Sequence, residues 1–229
     1  MTESPSSYAQ GVATYFHILH AKRQHLNNTL RHVDQYLSTN FNVFDFIAPN
    51  ENKVSDVLRE LLDPNGSHGQ GSAFLDAFLE RLDVPRDARR NPVVRREART
   101  VRSETSYRRL DLLLDLGTMG IAIETKLGAA DQMNQIAAYH EELSRTYGRN
   151  YVVVYLTTDG RPPSAFSVGT VPADDRHHQN WSFGGQLIPW LLDCQNLCQS
   201  DKFRWFLRDF AEYLRSAWPN TLPEASNER

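Results

Sequence analysis

Cysteine and lysine are scarce in this 229-residue chain, which has two Cys and four Lys. Cys194 and Cys198 stand about one helical turn apart, a poor geometry for a disulfide. Two thiols by themselves cannot fill a four-ligand zinc site. They read as small buried side chains of a cytoplasmic protein. Long apolar runs are missing too, with nothing near the ~18 residues of a membrane span. The first residues, MTESPSSYAQ, lack the basic start and apolar stretch of a secretory leader, so none is expected. No Gly-rich Walker loop is present, so ATP hydrolysis would fall to a partner. A net charge of -3 gives no global case for a polyanionic ligand. What remains is an ordinary folded domain: 40% hydrophobic and 23% charged.

The shortage of Lys has a counterpart. Of 25 basic residues, 21 are Arg, and Lys is confined to positions 22, 53, 126 and 202. Ten Arg fall in residues 81–109, against four acids. Such a strip suits either a phosphate-backbone footprint or a solvated strand edge protected by charge.

Periodicity divides the chain. Val12, Phe16, Leu19, Arg23, Leu26, Leu30, Val33 and Leu37 alternate steps of four and three, a heptad seam that predicts one helix over 8–38. An apolar stripe of this kind packs on the rest of the domain, or pairs with a second copy or a partner protein. Asn50 and Glu51 open a helix to about Leu62. A turn at Asp63-Pro64-Asn65-Gly66 and a Gly-rich step at 68–71 lead into a helix with Phe74, Leu75, Phe78, Leu79 and Leu82 on one face. Strands are expected at 92–102, 110–116, 121–126 and 151–156, with a helix at 129–147 crossing over to the last of them. Residues 159–180 read as a loop, and helices close the chain at 184–198 and 201–217. The fold class is α/β: a small mixed β-sheet flanked by helices, preceded by a long N-terminal helix. The expected divisions are a helical extension at 1–40, a domain at 41–218 and a tail at 219–229.

The chemistry concentrates after residue 110. Glu124 and Lys126 end an apolar strand, and strand alternation puts them on one face with Thr125 on the other. A neighbouring strand carries Asp111. Two carboxylates meeting at a strand end suit a hard divalent cation with oxygen ligands. A Lys beside them can orient or activate water and stabilise phosphoryl charge. The other Glu-x-Lys, Glu51-Asn52-Lys53, opens a helix and so lacks that shared face. On spacing alone, a plain strand-end ion pair remains open.

Asp111 followed by Glu124-Thr125-Lys126 resembles the PD-(D/E)XK nuclease superfamily, whose core carries Asp on one strand and Glu-x-Lys on the next. Gln135-Ile136-Ala137-Ala138-Tyr139 is similar to the QxxxY motif of its RecB-like branch. The upstream block from Asn50 through Leu62-Asp63-Pro64 to Gly71 is similar to a group of bacterial members. The resemblance spans about residues 42–215 and implies a restriction-endonuclease-like core. It implies that Asp111 and Glu124 bind Mg²⁺ or Mn²⁺, with the Thr125 carbonyl as a further ligand, and that Lys126 assists the attacking water. Glu51 would complete the metal site or contact it through water, and His68 would either join it or simply cap or pack the helix after the Gly-rich turn. Gln135, Tyr139, Arg108 and Arg109 would support the site or the nucleic-acid backbone. Arg109-Leu110-Asp111 stands where the family's name has Pro-Asp. The implied activity is hydrolysis of nucleic-acid phosphodiesters, DNA ahead of RNA, in bacterial restriction, repair or defence. The alternative is a non-catalytic binding or assembly module on the same fold.

Weaker signals remain. His177-His178 in a polar loop are expected to meet solvent. Tyr107, Trp181 and Phe183 can stack on bases, though core packing is the plainer expectation.

Overall fold

The computed structural model describes residues 5–38, 41–85, 89–99, 109–169 and 176–219. The chain divides into two compact units, Met1–Asn42 and Val43–Arg229.

The first unit is a single helix, α1 (Pro5–Leu37). Pro5 opens it, at a position where the missing N–H costs nothing. Ser38, at a left-handed φ of 46°, ends it and donates its N–H to the Asp34 carbonyl. Val12, Phe16, Leu19, Leu26 and Val33 of the heptad seam are exposed. No helix among the described residues is long and apolar enough to cross a membrane.

The second unit is a five-stranded mixed sheet with helices on both faces. A short helix, α2 (Val43–Ile47), was not anticipated from the sequence. It seats Phe44 against Phe206 and Phe210, with ring centroids 5.3 and 5.0 Å away. In α3 (Glu51–Leu62) the Asn50 side chain accepts the Lys53 N–H, satisfying an otherwise orphaned donor. Its buried Val54, Leu58 and Leu61 recur at helical spacing. Helix α4 (Ala73–Arg81) buries Phe74, Leu75, Phe78 and Leu79.

The strands β1 (Arg89–Arg99), β2 (Arg109–Gly117), β3 (Gly120–Lys126), β4 (Tyr151–Thr157) and β5 (His178–Ser182) lie in chain order. The first three are antiparallel neighbours. Helix α5 (Gln135–Tyr147) carries the chain from β3 to a parallel β4, and β5 continues in parallel. Alternation splits the core in two. One face of the sheet, with Leu112, Leu114, Ile121, Ile123, Val152 and Val154, packs on α3, α4 and the last two helices. The other, with Leu113, Ala122, Val153 and Tyr155, packs on α5 through Ile136, Tyr139 and Leu143.

Three boundaries depart from the sequence reading. The helix expected from 129 begins only at Gln135, because Asn134 stands at a left-handed φ of 54° and residues 127–134 are held in a loop. The loop expected at 159–180 contains a short α6 (Ala165–Val168) and ends in β5. Residues Phe183–Leu187 form a π-helical turn, with the Ser182 hydroxyl accepting the Gly185 N–H. The turn runs into α7 (Ile188–Leu197), and α8 (Asp201–Ala217) follows.

Candidate active site

The site stands where β3 emerges from the sheet toward α5. Leu112 pairs with Ile123 and Leu113 with Ala122, so the next step of the same register sets Asp111 opposite Glu124. Glu124 and Lys126 share its face. Across the other edge of β3, Glu124 is level with Tyr155. The structure therefore brings Asp111, Glu124 and Lys126 together on the α5 face of the sheet.

Glu124 is only 1% exposed, and Lys126 6%. Both carboxylate oxygens of Glu124 are engaged. Oε1 accepts from Lys126 Nζ at 2.8 Å and from Gln135 Nε2 at 2.6 Å. Oε2 accepts from the Tyr139 hydroxyl at 2.5 Å. Gln135 and Tyr139 stand four apart on α5 and so face β3 together. Asp111 is held differently: its Oδ2 accepts the Thr125 backbone N–H at 3.2 Å. In an extended strand the N–H and C=O of one residue point to the same edge. The Thr125 carbonyl is thus turned to the Asp111 side, while its side chain lies on the far face.

The charges explain one another. Burial pushes the Glu124 carboxyl up to about 7, and the nearby Asp111 charge pushes the same way, against Lys126 and Tyr139. Asp111 is also raised, chiefly by burial, with the Thr125 N–H and the Lys126 charge opposing. Burial alone would lower Lys126. The charges of Glu124, Glu51 and Asp111 more than offset it, and Lys126 titrates above its usual range as a firm ammonium. Burial, then Glu124, raises Tyr139 far enough to keep its hydroxyl a donor. Among the described residues, the Lys126 ammonium and the Arg96 guanidinium thus face the carboxyl groups of Asp111, Glu124 and Glu51, more acids than cations, a balance that a divalent cation is suited to redress.

The remaining expected residues are placed less simply. Glu51, at the start of α3, engages the loop that follows β3 through one of its carboxylate oxygens. Its Oε1 accepts backbone N–H groups of Leu127 at 2.8 Å, Ala129 at 3.3 Å and Gly128 at 3.4 Å. His68 is not brought to the site. Its Nε2 bonds the Asp63 carbonyl at 2.9 Å and its Nδ1 accepts the Gln70 N–H at 3.0 Å. The ring packs on Phe74 and Phe203. Asp63 closes the end of α3 opposite Glu51, about 18 Å away along a 12-residue helix. Among the described residues no three His, Cys, Asp or Glu side chains converge as a metal-ligating group. The acidic donors facing one another are the Asp111–Glu124 pair, which with a backbone carbonyl is within what Mg²⁺ commonly takes from a protein.

Three arginines of the strip, Arg81, Arg95 and Arg96, have described side chains, and each is paired within the fold. Arg81 pairs with Asp193 of α7 at 2.5 Å, and Arg95 with Asp115 at 3.6 Å. Arg96 bonds Asp56 of α3 at 3.0 Å, and its other arm reaches the Asp111 carbonyl at 3.4 Å. These three brace elements rather than offer a free phosphate footing. Arg108 and Tyr107 lie outside the described residues, and of Arg109 only the backbone is described.

Two features were not foreseen. Tyr155, beside Glu124, donates its hydroxyl to Asp131, whose other oxygen accepts the Ser164 N–H at 2.7 Å. This ties the loop after β3 to the loop after β4. The alternation of β4 already put Tyr155 on the Glu124 face; its partner was not legible. His178 lies in β5 with its Nδ1 3.2 Å from His140 Nε2, so it meets α5 rather than open solvent. Trp181 and Phe183 are buried in the core, and Cys194 and Cys198 are buried free thiols.

A family model, the PD-(D/E)XK nuclease superfamily, matches residues 41–217. Among curated proteins and solved structures nothing matches the chain.

Proposed function

We propose that this chain, which belongs to the PD-(D/E)XK nuclease superfamily, is a divalent-metal-dependent nuclease that hydrolyses phosphodiester bonds, with DNA as its substrate. The observation that carries the reading is the pairing of a half-buried Asp111 with a buried Glu124, set against the Lys126 ammonium and braced by Gln135 and Tyr139. A module that merely binds nucleic acid gains nothing from two mutually repelling carboxylates in a low-dielectric site. Asp111, Glu124 and the Thr125 carbonyl would hold Mg²⁺ or Mn²⁺. Such an ion supplies Lewis-acid charge that eases deprotonation of an attacking water and offsets charge on the phosphoryl oxygens.

The chain's own residues do the rest. Lys126 stays protonated among its carboxylates, so its part is electrostatic. It donates to Glu124, and its charge stabilises the extra negative charge that gathers on phosphorus oxygens during in-line attack. It is poorly suited to act as a base. Gln135 and Tyr139 fix the rotamer of Glu124. The Arg96–Asp56 pair holds β1 and α3 around the Asp111 backbone. A bacterial role in restriction, repair or defence is the biological setting that such an activity suits.

Purified protein incubated with labelled DNA and RNA, each with Mn²⁺ or Mg²⁺ and with chelator, tests the proposal. Cleavage of DNA that needs the metal and disappears in Asp111→Ala supports it. Cleavage that survives the substitution, or none of either polymer, refutes it.

A further inference from the structure

We propose that the backbone amides of Leu127, Gly128 and Ala129 form a receptor for a phosphate oxygen of nucleic acid, filled in the substrate-free protein by Glu51. The proposal rests on the nuclease reading and concerns how the substrate's backbone is seated beside Lys126.

Three successive main-chain N–H groups converge on one oxygen, Glu51 Oε1, at 2.8, 3.4 and 3.3 Å. Successive amides turned to one point make a concavity of positive potential that binds anions. Here the anion is the protein's own carboxylate. The nest begins one residue beyond Lys126, whose ammonium donates to Glu124 at 2.8 Å. A ligand in this nest is therefore bordered by a fixed cation.

The nest is open. Gly128 and Ala129 are exposed, and a side chain added at Gly128 would meet nothing within 4 Å. Nor does Glu51 hold α3 together. The helix start is capped by Asn50 on the Lys53 N–H, a bond that does not involve the Glu51 side chain. The carboxylate can leave without undoing the helix. A phosphodiester carries one negative charge over two free oxygens, as a carboxylate does. Exchange of one for the other keeps the charge of the nest and its hydrogen bonds.

Amide chemical shifts in ¹⁵N-labelled full-length protein test this, with chelator present so that no substrate is cut. Inorganic phosphate and a short single-stranded DNA are titrated separately into the native protein and into Glu51→Ala. The Leu127, Gly128 and Ala129 amides should move with both probes in Glu51→Ala. Both should bind about tenfold more tightly there than in the native protein, where the carboxylate competes. Glu51→Gln, which keeps the side-chain shape with a weaker acceptor, should show a smaller gain and guards against a folding defect. If the three amides stay still in both folded variants, or affinities equal the native ones, Glu51 is a staple and the proposal fails. Movement with inorganic phosphate alone also overturns it. The readout contains no cleavage step: silent amides with intact DNA cleavage sink only the nest, and a working nest without cleavage sinks only the nuclease reading.

Discussion

Glu124 is where burial and chemistry conflict most sharply. Its folded-state pKa of about 7 lies above the ordinary 4.5, so the folded protein holds this proton more tightly than the unfolded chain. The stability it contributes is fully present below about pH 4.5 and is lost as pH rises through about 7. Denaturant titrations of metal-free protein should show that decline, and Glu124→Gln should flatten it. A cation must displace the same proton. Mn²⁺ affinity by calorimetry should therefore climb up to tenfold per pH unit below about 7 and level off above it. Asp111→Asn removes the repulsion while leaving an oxygen for the Thr125 N–H. At about pH 8 it should stabilise the metal-free protein by about 1 kcal/mol, a rise in Tm of about 2–4 °C, and weaken Mn²⁺ binding at least tenfold. The convergence of these residues was legible in the sequence because strand alternation is a rule of period two: once Asp111 and Glu124 lie on adjacent strands, register does the rest. The use of Glu51 was not legible, since its partners are backbone amides of a loop whose course depends on the tertiary fold.

At the scale of elements, the helices and strands with strong periodicity stand close to where the sequence puts them, and the weakly patterned ones do not. Strand β5 reads His-Gln-Asn-Trp-Ser, too polar to announce itself; it is recruited by pairing with β4. Helix α5 starts late because Asp131 is claimed by Tyr155 and Ser164 before the helix can begin. The turn after α3 shows how a chemically suggestive residue can be structural. His68 bridges Asp63 and Gln70, and Gly66 sits so close that a Cβ there would lie 2.6 Å from the Glu60 carbonyl. His68→Ala should cost about 1–3 kcal/mol through the lost bonds and the space left against Phe74. Metal affinity should change less than about twofold. A tenfold loss of Mn²⁺ binding with the fold intact would return His68 to the metal site. A count of Arg says nothing of partners: of the basic strip, Arg81, Arg95 and Arg96 find theirs in Asp193, Asp115 and Asp56.

At the scale of the whole molecule, every residue assigned to the site lies within Val43–Arg229, the larger of the two units. A protein consisting of residues 43–229 should fold with native-like circular dichroism and bind Mn²⁺ as the full chain does. Failure to fold would mean that α1 supplies part of the core. Helix α1 carries a heptad seam of which Val12, Phe16, Leu19, Leu26 and Val33 are exposed, and its purpose is separable from the chemistry by this truncation. The claim on which everything else depends is that the Asp111, Glu124 and Lys126 cluster cuts nucleic acid. The most direct measurement is the rate of DNA cleavage at saturating Mn²⁺ for the native chain and for Lys126→Ala, with Mn²⁺ affinity measured alongside. Loss of a buried electrostatic stabiliser of the transition state predicts a rate at least about 100-fold lower, with the metal still bound. Equal rates in the two proteins would contradict it.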